Sequence, residues 1–235
     1  SQMHFRISPK ALHSSALLLA AMLFLMPLVF NPLGFDMYGV PKNLILKVGL
    51  SLLVIIVAIS LVRRKSLEMM LNRNTLKWTL VFLLILALAE ATALRQNVSF
   101  WGSYFRQGGI LNMLNYAAIF LVALSLFANK KSREFILKVV IISGVISAIY
   151  AIAQRLGFDL FTPEHTAIFE KRSFAGMGNP TALGAYLLFP IGAQILKLSE
   201  TKGTLLRVNG FAGLLLMIVA LFLTRNRASI LGLLA

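Results

Sequence analysis

The chain has 235 residues, of which 58% are hydrophobic and 13% charged, with a mean hydropathy of +0.82 and a formal net charge of +15. That composition excludes a water-soluble globule, which needs far more polar surface to coat its core, and the absence of cysteine excludes disulfides and thiolate metal sites. An excess of positive charge suggests nucleic acid only if it gathers on one surface; in a membrane protein it should instead sort by loop.

Crossing a hydrocarbon core of roughly 30 Å takes about 20 helical residues. Uncharged runs near that length predict helices at 14–30, 44–62, 76–93, 110–128, 135–153, 181–198 and 208–224, with the start of an eighth at 228–235. The runs are continuously apolar rather than alternating, so they read as helices and not as strands of a lipid-facing barrel. The expected fold is all-α, a polytopic transmembrane helical protein. We read it as a single transmembrane domain over 1–235 whose eighth helix is cut at Ala235. The first run follows Arg6 and Lys10 and resembles a secretory signal, yet no small-residue cleavage site follows Phe30, so it is read as an uncleaved span.

With the N-terminus in the cytoplasm, 14 of the 23 Lys and Arg fall inside, at Arg6 and Lys10 and in the connections spanning 63–77, 130–138 and 197–207. The positive-inside bias therefore gives an N-terminus-in topology, and anionic headgroups account for the basic inner loops without any nucleic acid.

The outer connections differ. Arg95 to Gly109 is rich in aromatics and glycine, and Gln154 to Pro180 mixes Asp159, Glu164, His165, Glu170, Lys171 and Arg172 with a turn-prone Gly176-Met177-Gly178-Asn179-Pro180. Arg106, Arg172 and Arg227 lie near predicted outer boundaries, where the positive-inside rule disfavours them and where a guanidinium fork can hold phosphate in bidentate fashion. The plainer alternative is that each snorkels to the interface or pairs with a carboxylate such as Asp159 or Glu170.

Three segments carry a family resemblance: F-W-G-S-Y-F-R-Q-G-G at 100–109, R-S-F-A-G-M-G-N-P-T-A-L-G-A-Y-L at 172–187, and T-R-N-R-A-S-I-L-G at 224–232. In order and spacing they resemble the O-antigen ligase and O-antigen polymerase superfamily. The resemblance implies a metal-independent, inverting glycosyltransferase with no cofactor, acting at the outer face of the bacterial cytoplasmic membrane. It would move a glycan from undecaprenyl pyrophosphate to a hydroxyl of lipid A core, a growing polysaccharide or a protein. Arg106, Arg172 and Arg227 would then bind the pyrophosphate of the donor, with Arg225 a weaker substitute for Arg227 in the T-x-x-R pattern. Departure of a polyprenyl pyrophosphate builds negative charge, which fixed guanidinium groups stabilise.

The attacking hydroxyl also needs a base. The family places a histidine for this in a late outer loop, which here would lie beyond Ala235, so the catalytic residues are left unassigned and the fragment is expected to be inactive alone. His4 and His13 are on the inner side, and His165 lies in an earlier loop than the family position. Glu164 and Glu170 read as solvated carboxylates. Glu90 is expected to pair with Arg95; Asn112, Asn115, Gln154 and Gln194 to bond between helices or line a cavity; Gly144, Ser147 and Ala148 to allow close packing; and Gly178 and Pro180 to form a turn and a helix start. The competing functional class is a membrane transporter for a small anion such as bicarbonate, with a non-catalytic scaffold as a third reading.

Overall fold

A computed structural model describes residues 9–62, 73–103, 108–159 and 172–234. Among the described residues the protein is all-helical, with no strand. The helices are α1 (Pro9–Leu25), α2 (Gly39–Val62), α3 (Arg73–Ala91), α4 (Gln96–Trp101), α5 (Ile110–Ala128), α6 (Lys130–Arg155), α7 (Pro180–Glu200), α8 (Thr204–Leu223) and α9 (Arg227–Leu234). A single 3₁₀ turn, Ala175–Met177, precedes α7.

Among the described residues six helices are long and apolar enough to cross a membrane: α3, α5, α6, α7, α8 and the Gly39–Ile56 part of α2. The expected first span is shorter than its apolar run suggested. Its apolar stretch covers only Leu12–Leu25, because Pro27 has no N–H to continue the ladder and disfavours helical backbone at Met26. Two other helices begin five residues before their apolar cores. Asp36 Oδ1 accepts from the backbone N–H groups of Tyr38 and Gly39 at 3.2 and 2.7 Å ahead of α2, and Asn129 Oδ1 accepts from Ser132 N at 3.1 Å at the head of α6. Each side chain satisfies donors that a helix start leaves without partners. Pro41 is tolerated in the first turn of α2 for the same reason.

The chain divides into two compact units, residues 1–19 with 43–136 and residues 20–42 with 137–235. In the first, α3, α4 and α5 follow one another, and Asn112 Nδ2 of α5 donates to Asn43 Oδ1 of α2 at 2.8 Å, the expected interhelical bond. None of the Asn74–Ala91 stretch of α3 is buried.

The second unit has a packed core of small and aliphatic side chains: Ala148 and Ala151 of α6, Leu183, Leu187 and Ile191 of α7, and Met217, Ala220 and Leu221 of α8. Close approach is set by Gly144, where an added Cβ would come 2.5 Å from Pro190 Cβ and 2.9 Å from Met217 Sδ. Pro190 lies inside α7, so its missing N–H and ring occur where a glycine on α6 leaves room. Gln194 Nε2 donates to Gly210 O at 3.1 Å and ties α7 to α8.

Candidate functional site

Residues 172–179 connect to the first turn of α7 and are held on several sides by the second unit. Three residues in extended or irregular backbone lead into the 3₁₀ turn, where Ala175 takes φ +45°; Gly178 follows at φ +72°, and Asn179 Oδ1 caps α7 by accepting from Thr181 N at 2.8 Å. Gly178 is required twice over, since its φ lies in the left-handed region and a Cβ would run into the Tyr38 ring. Gly176 is equally confined, because a Cβ there would meet Pro27 O.

Gln154, only 2% exposed at the end of α6, spans two jobs with one amide. Its Oε1 accepts from Phe174 N at 3.2 Å and Ala175 N at 2.7 Å, and its Nε2 donates to Asp159 Oδ2 at 3.0 Å. Asp159 is buried and also accepts from Tyr150 Oη at 3.0 Å through Oδ1. Ser173 Oγ donates to Ala151 O at 2.7 Å. Buried polar groups in such a network stabilise only when satisfied, so the turn and the end of α6 fix each other.

Lys42 supplies the other clamp. Its ammonium donates to Gly176 O at 2.6 Å and Val29 O at 3.2 Å, and lies 5.2 Å from the centroid of the Tyr38 ring. Tyr38 meets Phe174 edge to face at 6.2 Å, and Phe30 stacks on Tyr150 at 6.3 Å. Aromatic rings thus fill the space around the polar network.

Two of the three motif segments interlock here. Arg172 Nε donates to Thr224 O at 2.8 Å, and Ser173 N donates to Leu223 O at 3.2 Å. Gly184 of the second segment packs against the third, since a Cβ there would come 2.6 Å from Ser229 Oγ and 3.1 Å from Thr224 Oγ1. Thr224 Oγ1 donates to Leu221 O and accepts from Asn226 N, while Asn226 Nδ2 donates to Ser229 Oγ at 2.6 Å. Arg172 is half-buried, with one edge of its guanidinium group spent on the Thr224 carbonyl. Arg227 is exposed and opens α9, three residues beyond that carbonyl. Arg225, also exposed, holds φ +51°, an unusual conformation for a residue with a Cβ.

Arg106 lies outside the described residues, as do His4, Glu164, His165 and Glu170. His13 is exposed on α1. Glu90 differs from expectation: its Oε2 accepts from Ser99 Oγ at 2.6 Å rather than pairing with Arg95. The reason is α4, a six-residue helix that carries Ser99 back over the end of α3 and that no apolar run foretold. Gly144 and Ala148 pack closely as expected, whereas Ser147 Oγ is buried without a hydrogen-bond partner among the described residues.

Two residues central to the geometry carried little or no signal in the sequence. Lys42 looks like any cation near a membrane boundary, and its partner Gly176 is 134 residues away. Gln154 caps a turn, where its place at the end of an apolar run suggests a bond between helices or a cavity lining. No family model, curated protein or solved structure matches the chain.

Proposed function

We propose that the protein is a membrane glycosyltransferase of the O-antigen ligase and polymerase type, with seven spans before Arg227, its N-terminus in the cytoplasm and its arginine-bearing end at the outer face of the bacterial inner membrane. The reaction transfers a glycan from undecaprenyl pyrophosphate to an acceptor hydroxyl of lipid A core, polysaccharide or protein. The observation that carries this reading is the interlocking of the 172–187 and 224–232 segments, through Arg172 on Thr224 O and Gly184 against Thr224 and Ser229. The two segments are separate in sequence and adjacent in the fold.

On this reading Arg172 and Arg227 face the leaving pyrophosphate, and Arg106, outside the described residues, is a further donor-binding residue. Arg172 keeps Nη atoms for an anion while Nε holds the turn, and fixed guanidinium groups at a partly dry boundary stabilise charge that develops as the glycosidic bond breaks. The reading assigns no general base to a described residue.

The test is glycan transfer by membranes carrying Arg106→Ala, Arg172→Ala or Arg227→Ala in the complete protein. Each should lower the rate by roughly 100-fold, the loss typical of removing one preorganised donor from a developing anion. Arg227 is exposed, so its variant reports on chemistry without disturbing packing. Wild-type transfer in all three would overturn the proposal, and loss of anion uptake in place of transfer would move the site to the transporter class.

A further inference from the structure

A feature of the first unit stands apart from the arginines and does not depend on the transfer reaction. Between α3 and α5 runs an open groove of about 490 Å³, walled by Trp78, Phe82, Met113, Tyr116, Ala117 and Phe120. Thr79, which also lines it, turns its hydroxyl back to Thr75 O at 2.9 Å, so its polarity stays within its own helix. Both walls are helices long and apolar enough to cross a membrane, and Trp78 is 66% exposed. The volume falls within the roughly 300–1,000 Å³ of sites that take small hydrophobic ligands.

The surroundings say which hydrocarbon. Lys77 Nζ lies 5.9 Å from the centroid of the Trp78 ring, so an ammonium stands beside one wall of the groove. Lys77 also closes the most basic stretch of the sequence, with Arg63, Arg64, Lys65 and Arg73 against Glu68 as the single acid between 63 and 77. An apolar trough beside a membrane-boundary cation complements a molecule with a hydrocarbon tail and an anionic head.

We propose that the α3–α5 groove binds an acyl chain of an anionic phospholipid whose phosphate is met by Lys77. Aromatic walls give the chain a defined seat, and Lys77 selects the headgroup.

Trp78 and Trp101 are the two tryptophans of the chain, so Trp101→Phe leaves Trp78 as a reporter inside the site. That variant is placed in phosphatidylcholine vesicles containing equal mole fractions of either brominated phosphatidylglycerol or brominated phosphatidylcholine, and Trp78 fluorescence is read. Brominated phosphatidylglycerol should quench with an apparent affinity about fivefold higher, the factor expected from one lysine near an anionic surface. Adding Lys77→Ala should abolish the preference and Lys77→Arg should keep it, while Ala117→Phe, which fills the groove, should lower quenching by both lipids. Circular dichroism checks that Ala117→Phe folds; if it does not, the Lys77 pair decides, since that side chain is exposed. Equal quenching by the two lipids, or a preference that survives Lys77→Ala, overturns the proposal. So does absence of quenching by either, which would mean that a second copy or another segment covers the groove.

Discussion

Helices α3 and α7 are near equals in length, at 19 and 21 residues, and both are apolar enough to span a membrane. Yet none of the Asn74–Ala91 stretch is buried, against 39% of Pro180–Glu200. Hydropathy decides that both can enter lipid; it does not decide which one packs. In the bilayer, apolar area gains nothing by leaving hydrocarbon for protein, so association depends on close approach and polar ties. Helix α7 has both, with Gly184 and the buried Ala193 to admit neighbours and Gln194 to bond across to Gly210. The middle of α3, Leu80-Val81-Phe82-Leu83-Leu84-Ile85-Leu86, offers only bulk.

The sharpest way to break the contrast is in the packed unit. Gly178→Val puts a β-branched residue at φ +72° and drives its side chain into the Tyr38 ring, which should cost about 3 kcal/mol and appear as early thermal unfolding in detergent. Next in size, Gln154→Leu leaves the N–H groups of Phe174 and Ala175 without their acceptor; a loss of about 2 kcal/mol is expected, with faster amide exchange at those two residues. In the looser unit, Asn112→Leu removes one interhelical bond to Asn43 and should cost only about 0.6 kcal/mol in the same melt. Smallest of all, Phe120→Ala on the open face of α5 should shift stability by less than about 0.5 kcal/mol. A Phe120 variant as damaging as Gly178→Val would show that the open face is covered by protein and would collapse the contrast.

The positions of the long helices were legible because a span is a local property: length and apolar content are properties of one run. Helix α5 begins and ends where its run does, at Ile110 and Ala128. Departures came where a single side chain rather than apolar content decided the boundary, as Asp36 and Asn129 do by capping and Pro27 does by ending α1 early. Helix α4 was illegible for the opposite reason, being six residues of mixed polarity with no periodicity to read. In the candidate site, the turn at Gly178, the helix start at Pro180 and the motif arginines stood out from local chemistry. The grip of Lys42 on Gly176 O and of Gln154 on residues 174 and 175 did not, because nothing local to either residue says which carbonyl or N–H it will find.

That grip also sets an order of events during synthesis. Ribosomes deliver about 5–20 residues per second, so roughly 7–27 s separate the emergence of Lys42 from that of its acceptor 134 residues later. Through that interval the ammonium has only partners made before it, such as Val29 O and the Tyr38 ring, and the charge must ride at the headgroups. The depth of the second helix is thus settled late, by a glycine that leaves the ribosome after α3, α4, α5 and α6 have been made.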